Sequence, residues 1–151
     1  MMKFWPLSRE GTAAGVPYPL PEAVLPVLAI FARMYETAEY RPPWIGYLAS
    51  EGDTLVGTCA FKSVPVAGWV EIAYFSFPGH EGKGVATRMA QELLKIAEAE
   101  DPAVAVFAQT LPEHGASTRV LQKLGFTWHR SLQHPEDGLV WEWHREPSVR
   151  N

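Results

Sequence analysis

One cysteine in 151 residues, Cys59, leaves nothing for an internal disulfide to join. Order must come from burial and hydrogen bonds, and the setting LVGTCAF reads as a buried strand position, a small core side chain and not a reactive thiol. Long apolar runs are also missing. None approaches the roughly 18 residues that a membrane-spanning helix needs, and the start MMKFWPLSRE has no signal-type apolar stretch. The expectation is a cytoplasmic chain with no membrane partner. An excess of basic charge is absent: 13 Lys and Arg against 17 Asp and Glu give a net charge of −4. That leaves no field for counterion release from a phosphate backbone, so no nucleic-acid partner is expected. No repeat, low-complexity tract or long linker interrupts the chain. The five histidines show no metal-ligand grouping along the sequence, since His129 and His134 straddle a strand end and no cysteine joins them. No metal is expected.

What is present is the composition of a globular domain, 47% apolar and 20% charged. A chain of this size forms one domain, here residues 1–151, and buries about two-thirds of its unfolded surface. Residues 6–26 hold five prolines and leave room for a short first strand and a loop. Residues 22–38 carry Val24, Leu28, Phe31 and Tyr35 at helical spacing, with Pro26 in the first turn. WIGYLA and TLVGTCAFKS flank Ser50-Glu51-Gly52-Asp53, a hairpin composition. WVEIAYFSF is a third strand after Gly68. From Val85 to Glu100 the pattern is an amphipathic helix with Val85, Met89, Leu93 and Ile96 on one side. AVAVFA is apolar throughout, as a central strand covered on both faces would be. Strand, helix and buried strand make a βαβ crossover. Ser117 to Leu124 reads as a short helix stopped by Gly125, and FTWHRSL and LVWEWHR close the chain as paired strands. The class is mixed α/β.

Between the third strand and the long helix lies FPGHEGKGVAT. Gly82 and Gly84 sit where a strand ends and a helix begins, so the backbone can approach a ligand and unpaired N–H groups point outward. An anion fits there; a tight turn with no ligand is the other reading. Two better-known phosphate loops do not match. A Walker A loop needs Ser or Thr directly after Gly-Lys, where Gly84 stands, and the dinucleotide fingerprint needs Gly or Ala at Thr87.

The stretch EIAYFSFPGHEGKGVATRMAQELL resembles the acyl-CoA-binding motif of the GNAT N-acetyltransferases, Q/R-x-x-G-x-G/A. Its positions two to six are filled by Gly82, Lys83, Gly84, Val85 and Ala86. Downstream, LPEHGASTRVLQKLGF is similar to the N-x-A-S-x-x-x-L-x-K-L-G-F signature of the RimJ/RimL-like branch. The resemblance runs from about Trp44 to Trp143 and implies a GNAT fold, a mixed, mostly antiparallel sheet around a central parallel βαβ unit. It departs at Glu81, where the family has Gln or Arg, at His114, where the branch has Asn, and at Leu121, where many members carry a tyrosine acid.

By that similarity the activity is N-acetylation of a protein N-terminal or small-molecule amine by direct transfer from acetyl-CoA, in a monomer or homodimer. The alternative is a GNAT-fold protein that holds acyl-CoA without turnover. The resemblance assigns the pantetheine to the backbone through Phe75, Ser76 and Phe77 and the pyrophosphate to amides from Gly82 to Thr87. His114 and Ser117 would lie by the pantetheine arm. Glu71 interrupts the apolar run VEIAYF, which makes it the general base, an ordinary outward-facing strand glutamate, or one that only hydrogen-bonds the acceptor. Ser117 is either the proton donor to the leaving thiolate or a helix N-cap. Trp44, Trp69 and Tyr74 are candidate walls of the acceptor site.

Overall fold

A computed structural model describes residues 1–147. Among them the order is β1 (Met2–Pro6), α1 (Val24–Met34), β2 (Gly46–Glu51), β3 (Thr54–Phe61), β4 (Trp69–Ser76), α2 (Val85–Glu100), β5 (Ala105–Thr110), α3 (Ala116–Lys123), β6 (Thr127–His134) and β7 (Gly138–Arg145). The first strand starts ahead of the proline-rich segment and ends on its first residue, Pro6. It pairs antiparallel with β2 from Met2 opposite Glu51 to Pro6 opposite Tyr47. α1 is shorter than the apolar spacing predicts. Its end is turned by Tyr35, whose hydroxyl accepts the Gly46 N–H at 3.0 Å.

The strands form one sheet in the order β1-β2-β3-β4-β5-β7-β6. Every neighbouring pair is antiparallel except β4 with β5, because α2 carries the chain back to the start of the sheet. The apolar stripe of α2, with Val85, Met89, Ala90 and Leu93, is buried with Val70, Ile72, Val106 and Ala108 of the central strands. α3 adds Val120 and Leu121 to the same core. α1 packs on the opposite face around Leu48, Leu55 and Phe77. Three helices thus cover a mixed sheet from two sides among the described residues. Burial of this kind stabilises by about 25 cal/mol per Å² of apolar surface, which is why α2 forms although its N-cap is a glycine with no side chain to cap it.

Gly125 adopts φ +88° at the end of α3, the left-handed stop that its sequence position predicts. The N-terminus of α3 differs from expectation. Gly115 is the N-cap, and the Thr118 hydroxyl accepts its N–H at 2.9 Å. Ser117 therefore lies inside the first turn and does not cap.

Candidate functional site

The centre of the sheet is open on one side. β4 and β5 pair only from Trp69 opposite Ala105 to Glu71 opposite Phe107. Beyond that, β4 continues with β3 to Ser76 and β5 continues with β7 to Thr110. The two parallel strands splay apart. The register decides which groups are left free. Lys62 N–H donates to Glu71 O at 2.9 Å and Phe77 N–H donates to Val56 O at 2.8 Å, so the odd-numbered residues of β4 turn their backbone groups toward β3. Tyr74 and Ser76 turn theirs into the splay, as does the carbonyl of Ile72, whose N–H is taken by the last bridge to Phe107 of β5. The backbone N–H of Phe77 is thus committed to β3, and its carbonyl accepts from His80 N–H at 2.9 Å. The free edge is one residue out of phase with the Phe75 and Phe77 pairing expected from sequence.

Next to this edge the loop into α2 takes three glycines through positive φ: Gly79 at +91°, Gly82 at +73° and Gly84 at +78°. Side chains other than glycine rarely adopt that region. The first helical bond is Arg88 N–H to Gly84 O at 3.0 Å. The amides of Val85, Ala86 and Thr87 therefore have no partner within the helix, and no acidic side chain sits in the first turn. Donors and dipole together favour an anion. Glu81 lies on the same loop, and its Oε1 accepts His80 N–H at 3.2 Å, which folds the carboxylate back on the backbone.

Edge, loop and α3 enclose a groove of about 470 Å³, whose walls include Tyr74, Ser76, Gly82, Gly84 and Val85. α3 contributes Ser117, Arg119 and Lys123. These two cations line the groove together with the glycine loop, and sequence reasoning passed over them; their spacing of four on a short helix was the signal. Tyr74 Oη donates to Ser117 O at 3.3 Å. Burial pushes the Tyr74 phenol up to about 12, against the Ser117 contact that lowers it.

The opposite face of the splay carries different chemistry. Glu71 lies in one row with Phe107 and His144, paired across β4, β5 and β7. The Trp69 ring packs 4.5 Å from that of His144. Burial raises the pKa of Glu71 above the usual carboxylate value; Lys62, with Nζ 3.6 Å from Oε2, and His134 oppose the rise, and Glu142 adds to it. Glu142 itself is buried. Desolvation pushes its pKa up, but hydrogen bonds from His144 and Arg130 outweigh it and hold the group below its ordinary value.

The structure does not bring every candidate together. Trp44 is buried with its ring edge-on to Phe61 at 5.0 Å, a core side chain and no wall of a site. Phe77 is buried beside α1, and the Lys83 side chain is exposed outside the groove. His114 points to a separate apolar hollow and packs 5.2 Å from Trp141. Tyr74 lies on the groove side, not with Trp69. The histidines also differ from expectation: His129, Glu142 and His144 converge, with one ligand atom from each within 4.8 Å of the others.

A family model described as an acetyltransferase (GNAT) domain matches residues 5–127. No curated protein matches the chain. The solved structure of RimL, a ribosomal alpha-N-protein acetyltransferase in complex with coenzyme A, is 18% identical at a TM-score of 0.61, over 68% of this chain and 61% of that one. Aminoglycoside acetyltransferase AAC(6')-Ib in complex with coenzyme A is 19% identical at 0.58, over 67% and 65%. This chain thus covers less than two thirds of either. An apo crystal form of RimL is 14% identical at a TM-score of 0.72, over 97% of this chain and 93% of that one. Such identities establish a shared fold.

Proposed function

The chain belongs to the GNAT acetyltransferase family, whose domain spans residues 5–127, and from that premise we propose that it transfers the acetyl group of acetyl-CoA to a primary amine. One observation carries the reading: an unpaired strand edge and a row of unpartnered helix amides open into a single groove, while a carboxylate with a raised pKa stands at the apex of the splay on the other face. Acetyl-CoA supplies an extended, amide-bearing arm, a diphosphate and a thioester. The parts of this chain fit those needs in order.

The free N–H and C=O groups of Tyr74 and Ser76 offer the arm a strand to pair with. The amides from Gly82 to Thr87 cradle the diphosphate, with Arg119 and Lys123 neutralising it from α3. A free amide of the splayed strand polarises the thioester carbonyl as negative charge develops on it. The amine arrives from the face of Glu71, beside Trp69 and Phe107. At pH 7 about one α-amine in seven is neutral but only about one lysine amine in 2,500, from ordinary pKa values. A base matters most for the lysine-like acceptor. Glu71 suits that task because burial raises its pKa toward the working range.

On the groove side, full proton transfer from Tyr74 to a thiolate of ordinary pKa near 8.5 is uphill by about 3.5 pH units, or about 5 kcal/mol. Tyr74 and Ser117 therefore serve the leaving sulfur as hydrogen-bond donors, and the proton comes from solvent. The acceptor class stays at primary amines, since the activities named for its fold relatives span a ribosomal protein α-amine and an aminoglycoside. Thiol release from acetyl-CoA across an amine panel that includes peptides with free N-termini tests the proposal. Glu71→Gln should lower the rate with every acceptor that the chain uses. Tight CoA binding with no thiol release for any amine would favour the non-catalytic acyl-CoA-binding reading, for which the carboxylate of Glu81 at the groove and the displacement of His114 from it speak.

A further inference from the structure

The register of the last hairpin is broken once. Trp128 pairs with Trp143, yet Arg130 pairs with Glu142, so His129 and Arg130 together oppose a single residue. A bulge of this kind turns both side chains to one face. The face is that of Glu142 and His144, two residues apart on β7 and hence on the same side of the sheet. The consequence is a compact cluster. His144 Nε2 donates to Glu142 Oε2 at 2.8 Å, and the His129 ring stacks on that of His144 with centroids 3.9 Å apart. Arg130 Nε donates to the same Oε2 at 3.1 Å, while Oε1 takes no hydrogen bond from the described residues.

We propose that His129, Glu142 and His144 form a binding site for a borderline divalent metal ion, Zn²⁺ in the first instance. Two imidazoles and one carboxylate are the donor set that zinc takes, whereas Mg²⁺ and Ca²⁺ need more oxygens. Metal–ligand bonds of about 2.0–2.2 Å place tetrahedral donors roughly 3.4 Å apart; the ligand atoms already lie within 4.8 Å of one another, and the exposed His129 ring must swing out of its stack on His144 to aim a nitrogen at the ion. Glu142 is buried and already oriented by Arg130, an outer partner of the kind that fixes ligating carboxylates. Coordination through His144 Nε2 replaces its hydrogen bond to Glu142, and the ring proton moves to Nδ1 through solvent. A fourth position is open because His129 is exposed. The site stands on the face of Glu71, in the row that runs through Phe107 to His144.

Isothermal titration of the chain, free of any polyhistidine tag, with zinc chloride tests this. One ion should bind per chain, with no competition from millimolar magnesium. His129→Gln and His144→Gln should each weaken binding by about tenfold or more. His129 is exposed, so its variant keeps the fold, which an unchanged Tm without metal would verify. No zinc uptake by the unmutated chain, or an affinity unchanged in His129→Gln, would overturn the site.

Discussion

Replacing Gly82 or Gly84 by alanine separates what the glycine loop costs to build from what it holds. Both residues sit at positive φ, +73° and +78°, where an alanine pays about 1–2 kcal/mol in backbone strain. Their surroundings differ. A Cβ on Gly82 would meet nothing within 4 Å, whereas one on Gly84 would lie 2.8 Å from Arg88 Nη1. That guanidinium must shift, and it is paired with Glu51 at the end of β2. The pair is part-exposed and contributes at most about 1 kcal/mol. Gly84→Ala should therefore lose about 1–3 kcal/mol and Gly82→Ala about 1–2. For a domain of this size, at about 2–4 °C per kcal/mol, those figures become drops in Tm of about 2–12 °C and 2–8 °C. Binding should rank the other way. The methyl added at Gly82 projects into open space at the groove, where the diphosphate is proposed to lie, so CoA affinity should suffer more in Gly82→Ala. Differential scanning calorimetry with and without CoA measures both effects. The reasoning fails if neither variant lowers Tm, or if both keep the full CoA-dependent rise.

Other outcomes follow from the same geometry. Lys62→Met removes the cation beside Glu71; the ionised carboxylate loses support, its pKa rises further, and the acid limb of kcat/KM should move to higher pH by up to about 0.7 units, as expected for a half-exposed pair of about 1 kcal/mol or less. A limb that stays put or moves down would remove Glu71 from the role of base. Arg119→Ala and Lys123→Ala should each weaken CoA binding by about 1.5–3 kcal/mol, more at low salt than at high salt, as read by titration at two ionic strengths. Leu121 is fully buried, so Leu121→Tyr, which installs the residue many family members carry there, should overpack the core and cost about 1–3 kcal/mol in chemical denaturation without raising the rate of acetyl transfer.

Local chemistry made much of this legible in the sequence. The stripe from Val85 to Ile96, the stop at Gly125 and the hairpin turn at Gly52 depend on near neighbours, and these elements lie where their residues place them. The first strand was hidden because Met2–Pro6 is short, and only its partner β2 makes it a strand. Which edge of β4 faces the splay depends on the phase of its pairing with β3, a long-range property that the run VEIAYF does not encode. Ser117 was legible as a groove residue, but not that Gly115 and Thr118 relieve it of capping. Trp44 looked free for a ligand because nothing in its neighbourhood announces Phe61. The convergence of His129 with Glu142 and His144 required a hairpin bulge, and no spacing along the chain reports one.

The central claim is that acetyl-CoA lies along the free edge of β4 with its diphosphate on the glycine loop. Amide chemical shifts recorded while CoA is titrated into the ¹⁵N-labelled protein test it residue by residue. The largest changes should fall on Tyr74 and Ser76 and on Gly82 through Thr87, with Phe75 and Phe77, turned toward β3, moving less. Changes confined to the hollow around His114, Trp128 and Trp141, or none at saturating CoA, would contradict it.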